Sequence, residues 1–114
     1  MKAIYAVFLL VFLASCEQKK AVLENESPNK QVKVVLNADK SGISPWQCEL
    51  KVKAYSFKEG ALKFEIYAKE LNDQTVRFDW QDDANCLISF TESDSKIRTF
   101  QLIATASQVQ MGEI

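Results

Sequence analysis

Apolar and polar residues alternate strictly through most of the chain after residue 31. In "WQCELKVKAYSF" the apolar set is Trp46, Cys48, Leu50, Val52 and Ala54, with Gln47, Glu49, Lys51 and Lys53 between them. In "ALKFEIYAKEL" Leu62, Phe64, Ile66 and Ala68 alternate with Lys63, Glu65, Tyr67 and Lys69. Period two puts one set on a buried face and the other in water, the signature of half-buried strands. The same phase continues in Val32-Val34-Leu36, Val76-Phe78-Trp80, Cys86-Ile88-Phe90 and Phe100-Leu102-Ala104, with a shorter candidate through Val109 and Met111. No stretch carries a helical stripe. The pattern predicts an all-β domain of six or seven short strands, a small antiparallel β-sandwich (immunoglobulin-like or similar) or a small barrel. Between the two best strands, Lys58-Glu59-Gly60 reads as a hairpin loop with Gly60 in the left-handed position. That register sets Lys53 opposite Glu65, Glu49 opposite Lys69, Val52 opposite Ile66 and Ala54 opposite Phe64.

The first residues break the pattern. Lys2 precedes an apolar run from Ala3 to Ser15 that falls short of the about twenty residues needed to span a bilayer. It has the form of a signal-peptide hydrophobic region, with small Ala14 and Ser15 before a cut. Leu13-Ala14-Ser15-Cys16 resembles the lipobox of bacterial lipoproteins, in which Leu and two small residues precede an obligatory Cys. The resemblance covers residues 1–16. It implies a diacylglyceryl group on the Cys16 sulfur, cleavage just before Cys16, further acylation of the new N-terminus (palmitate among the acyl chains), and a lipid-anchored protein of the bacterial cell envelope. Two or three acyl chains hold a protein stably, where one binds only marginally. Glu17, where an Asp favours inner-membrane retention in enteric bacteria, points to the outer membrane. The following "EQKKAVLENESPNK" mixes charges with Asn, Ser and Pro28 and predicts a flexible tether over residues 16–30. As a coil it holds the domain, residues 31–114, roughly 20 Å from the lipid.

With Cys16 given to lipid, Cys48 and Cys86 remain. Both occupy the inward phase, and an envelope location is oxidising, so a Cys48–Cys86 disulfide is predicted; the alternative is two buried free thiols. A bridge here adds about 4 kcal/mol in the chain-entropy model. Trp80 stands six residues before Cys86, which is not the immunoglobulin spacing.

The chain has no histidine, which removes Ser-His-Asp triads, Cys-His pairs and the usual zinc sites. Its 14 Lys and Arg nearly balance 15 Asp and Glu, with no basic stripe of the kind that binds nucleic acid. Asp73, Asp79, Asp82 and Asp83 cluster in sequence and suggest calcium or carboxylate chemistry, against the alternative of solvated turn acids. Tyr55, Phe57 and Tyr67 fall on the charged phase and suggest a partner surface, unless a neighbouring strand or loop covers them. The sequence thus predicts a non-enzymatic envelope lipoprotein, without cofactor or metal, held to the membrane through Cys16 and binding another envelope protein. The alternative is a module for a small ligand, glycan or calcium, built on the acidic segment and Trp80.

Overall fold

The structure is a computed structural model that describes residues 18–55 and 58–114. The segment expected to be a signal peptide, Cys16 and Phe57 lie outside the described residues. The chain is all-β, with eight strands in order: β1 (Gln18–Glu26), β2 (Val32–Ser41), β3 (Trp46–Ala54), β4 (Lys58–Ile66), β5 (Val76–Trp80), β6 (Asn85–Thr91), β7 (Ile97–Ala104) and β8 (Val109–Glu113). They form two four-stranded antiparallel sheets, β1-β2-β3-β4 and β5-β6-β7-β8, packed as a sandwich. Each sheet is a simple meander in which every neighbour in space is a neighbour in sequence. The immunoglobulin order is therefore absent.

All seven strands predicted from the alternation form. The eighth is a correction: Gln18–Glu26, expected within the flexible tether, is β1. Its inward phase carries Ala21 and Leu23, which pack on the core, with Leu23 opposite Leu36 and Ala21 opposite Ala38. Two small apolar contacts and a ladder beside β2 suffice to order a segment whose composition is mostly polar. The β1–β2 turn is held by Ser27, whose buried hydroxyl accepts from the Val32 amide (3.1 Å) and donates to Asn29 Oδ1 (2.8 Å).

The inward phases of both sheets interleave into one core. Leu36, Trp46, Leu50 and Ile66 from the first sheet meet Ile88, Phe90 and Leu102 from the second, all fully buried. Phe64 stitches the sheets together, stacked on Phe100 (centroids 4.2 Å apart) and edge-on to Phe90 (5.2 Å). After β4 the chain crosses from one edge of the sandwich to the other through residues 67–75. The buried indole of Trp46 donates to the Ala68 carbonyl (2.9 Å) and pins that crossover down.

The meanders give the sandwich two distinct ends. Gln18 lies across from Ser41, beside the β2–β3 turn, and Lys19 pairs with Glu70 of the crossover at 3.1 Å. The Tyr67 carbonyl accepts from the Ser93 amide in the β6–β7 turn at the same end. At the far end the Tyr55 amide donates to the Gln31 carbonyl, Asn29 to Asp83 Oδ1, and Ala104 to the Ala84 carbonyl. The β1–β2, β3–β4, β5–β6 and β7–β8 turns therefore share the far end.

Two further expectations need correction. The hairpin register is slipped by six residues: Val52 faces Gly60, Cys48 faces Phe64 and Trp46 faces Ile66. An even slip keeps every side chain on its predicted face, and Lys53–Glu59 and Glu49–Lys63 still oppose charge to charge. Tyr55, not Gly60, takes the left-handed backbone position (φ 53°) as the chain leaves β3. Gly60 instead sits inside β4, where a Cβ would meet Val109 Cγ1 at 2.7 Å, so its missing side chain admits β8 against the β4 edge.

The second correction is the staple. Cys48 and Cys86 are both buried, as the phase predicts, but they are free thiols and the predicted disulfide is absent. Each stands near the start of its strand, and β3 and β6 run in opposite directions, so the two thiols enter the core from opposite ends. Cys48 faces Phe64, which stacks on Phe100 opposite Ile88, while Cys86 lies two residues beyond Ile88 and four beyond Phe90. At the strand rise that offset is roughly 7–13 Å. Bridged cysteines need Cα atoms within about 4.4–6.8 Å.

Candidate functional site

Of the aromatics predicted as a partner surface, Tyr55 and Tyr67 lie apart, and Phe57 falls outside the described residues. Tyr55 sits half-buried at the far end, packed against the core, while Tyr67 is exposed at the N-terminal end. The acidic segment does not converge either, and among the described residues no three His, Cys, Asp or Glu side chains gather as a metal site. Asp82 Oδ1 accepts from the amides of Ala84 (2.7 Å) and Asn85 (2.8 Å), capping the β5–β6 turn. These bonds, the Ala84 amide first, hold its carboxyl below the usual range. Asp83 accepts from the Asn29 amide at 2.9 Å and joins two far-end turns. Trp80 is inward as predicted and half-buried, its indole N–H bonded to Asn25 Oδ1 (2.6 Å) across the β1–β5 edge. Asp82, Asp83 and Trp80 are thus engaged in holding turns and edges.

The thiols offer no nucleophile. Burial pushes both Cys48 and Cys86 up to about 12, so the reactive thiolate is absent at neutral pH. Their hydrogens point to backbone carbonyls, Cys48 to Trp46 and Cys86 to Leu87.

No family model, curated protein or solved structure matches this chain. Functional assignment therefore rests on the surface itself.

The register makes the two outer faces directly comparable. Across the first sheet the outward rows read Lys20-Asp39-Gln47-Glu65, Val22-Asn37-Glu49-Lys63, Glu24-Val35-Lys51-Ala61 and Glu26-Lys33-Lys53-Glu59. Both signs are mixed there, with exposed pairs such as Lys33–Glu24 (3.3 Å). Such a face is strongly hydrated, and stripping water from it is costly. On the second sheet the outward rows read Asn85-Ile103-Gln110, Asp79-Leu87-Gln101-Gly112 and Arg77-Ser89-Thr99. Charge is confined to β5. From β6 to β8 the rows contain only aliphatic, hydroxyl and amide side chains, with Ser89 and Thr99 hydroxyls 3.3 Å apart. Beside them, a groove of about 600 Å³ runs along β8 and the neighbouring edge of β4, bounded by Ile103, Val109, Met111, Gly60 and Ala61.

This face is the candidate site. The cores of protein interfaces are depleted of charged residues, because a desolvated charge needs a partner, whereas amides and hydroxyls can exchange water for partner groups at little net cost. The sequence signal was present but unread. The outward positions of "NCLISFT" and "IRTFQLIA" carry no charge between Asn85 and Ile103, while those of "WQCELKVKA" are charged at three of the four.

Proposed function

We propose that this chain is a bacterial envelope lipoprotein, held to the membrane by lipid on Cys16, whose sandwich is a non-enzymatic protein-binding module. Its partner, another envelope protein, docks on the uncharged outer face of β6–β8. The observation that carries this reading is the contrast between the two outer faces: one sheet is charged in every row, the other has three adjacent strands whose outward positions carry no charge. A sheet that faced only water would gain nothing from removing charge, and solubility favours keeping it. The lipobox of residues 13–16 supports the envelope location.

The test is site-specific photo-crosslinking in envelope fractions, with the crosslinker placed at Gln101 or at Lys51. A discrete adduct from Gln101, none from Lys51, and loss of that adduct when Leu87→Glu and Ile103→Lys are introduced together is the expected result. Equal adducts from both faces, or an adduct that survives the two substitutions, would overturn the assignment of the face.

A further inference from the structure

Because Gln18–Glu26 is a strand of the sandwich, little chain separates the domain from Cys16. Cys16 is two residues from Gln18, and two residues of chain reach at most about 7 Å. If the lipid is on Cys16, the end of the sandwich that holds Gln18 lies against the bilayer. There is no slack for it to lie anywhere else.

That same end exposes apolar side chains with no role in the fold. Ile43 occupies the β2–β3 turn, which Gly42 (φ 59°) and the bond from the Ser44 amide to the Ser41 carbonyl already close. A turn tip ordinarily takes Gly, Asn, Asp or Ser. Here it presents a β-branched aliphatic residue that is 103 % exposed. Tyr67, at the start of the crossover, is 61 % exposed, and Ile97, at the start of β7 beside the β6–β7 turn, is 66 % exposed. The described turns of the far end carry Asn29, Lys30, Asp82, Asp83, Ser107 and Gln108 at their tips, and no large exposed apolar side chain lies among them.

We infer that this end is a lipid-docking surface, in which Ile43, Tyr67 and Ile97 seat in the interfacial layer of the bilayer that holds the Cys16 lipid. The chemistry is apolar and interfacial: aliphatic tips reach towards acyl chains, and a tyrosine places its hydroxyl at headgroup level. Attraction to anionic lipid contributes little, because acids offset the cations at this end. Lys19 pairs with Glu70 and Lys96 with Asp94, Lys20 lies opposite Asp39, and the exposed Lys69 stands next to Glu70 in the chain. The docked domain stands upright, since β1 runs away from the membrane for nine residues, roughly 30 Å. The uncharged outer face of β6–β8 is then presented sideways, clear of the lipid. This inference rests on the lipoprotein reading of Cys16.

The experiment uses the lipidated full-length protein in zwitterionic vesicles containing lipids brominated in the acyl chain, which quench nearby tryptophan. Two proteins, Ile43→Trp and Gln108→Trp, are compared with the wild type, whose Trp46 and Trp80 give the background. Both positions are exposed turn sites, and unchanged melting temperatures verify the fold. Quenching of the Ile43→Trp protein well above background, with the Gln108→Trp protein at background and neither value altered by raising salt, is the expected result. Wild-type protein that floats with vesicles while the Ile43→Trp protein shows no added quenching would overturn the docking surface and leave the anchor standing. Wild-type protein that fails to float would remove the anchor and the docking surface together.

Discussion

The free thiols of the core make stability depend on alkaline pH in a way that a disulfide forbids. Burial raises both Cys48 and Cys86 from 9.0 to about 12. Between those limits the unfolded chain releases two protons that the native chain retains. The native state binds more protons, so stability falls as pH rises, by about 1.4 kcal/mol per pH unit for each thiol. At pH 10 the loss is about 1.4 kcal/mol per thiol, or about 3 kcal/mol for the pair. In a domain with a total of about 5–15 kcal/mol this is a large share. Lysines and tyrosines titrate in the same range, so the measurement is a difference. Urea unfolding is followed from pH 7 to 10 in a soluble form starting after Cys16, alone and carrying Cys48→Ala with Cys86→Ala. The substituted protein is less stable at pH 7, because it has lost two packed sulfurs, and the gap narrows by about 3 kcal/mol by pH 10. A gap that stays constant with pH would refute the reasoning, since only thiols that titrate on unfolding can close it. Thiol titration after denaturation without reductant gives the companion result, with both Cys48 and Cys86 reacting.

Three further outcomes test the packing. Gly60→Ala pushes a methyl into Val109; the overpacking cost of about 1–3 kcal/mol exceeds the roughly 0.5–1 kcal/mol gained by stiffening the strand, so urea unfolding shows a net loss. Adding Val109→Ala relieves the clash, and the two substitutions together cost less than the sum of each alone. Trp46→Phe leaves the Ala68 carbonyl without its indole donor and opens space in the core, costing about 1–3 kcal/mol by thermal or urea unfolding. Arg98 holds Glu113 through two bonds of 2.8 Å, which keeps that carboxyl below its usual range; this stabilisation is present above the ordinary carboxylate pKa and is lost as pH falls through the depressed one. Arg98→Met therefore flattens the acid limb of the stability profile below about pH 4.5, by under about 1 kcal/mol for so exposed a carboxylate.

Phase was legible in the sequence and register was not. The alternation placed Trp46, Leu50, Val52, Ile66, Ile88 and Phe90 in the core, where each is buried. Phase depends only on which residues tolerate burial, and period two states it directly. Register depends on which residues oppose one another, and the regular Lys/Glu alternation of β3 and β4 satisfies several pairings. A slip of six leaves opposite charges facing, so charge complementarity could not choose between the two. The deciding contact came from outside the hairpin: Val109 of β8 needs the space beside Gly60, which places that glycine within β4 and moves the turn back to Tyr55. The thiols follow the same rule. Inward phase was a sound inference for Cys48 and Cys86, but bonding distance requires their heights in the core, and two strands that run oppositely place their starting residues at opposite ends.

The candidate site is not legible at single positions. Tyr55 and Tyr67, on the charged phase, are separated by the fold, and Asp82 and Asp83, close in sequence, hold turns. A binding face on a sheet is instead a property of rows, visible once the outward residues of adjacent strands are set side by side. Leu87, Gln101 and Gly112 are unremarked in the chain, yet they form one row, with Ser89 and Thr99 on one side of it and Ile103 and Gln110 on the other. Within a meander each of these strands is hydrogen-bonded to the next in sequence, so the absence of charge from Asn85 to Gly112 on the outward phase is enough to define a continuous surface. The equivalent positions of β1–β4 carry charge in every row, with both signs mixed across the face. The proposed docking would account for the difference with one cause, because a partner removes water from the face it covers and leaves the opposite face solvated.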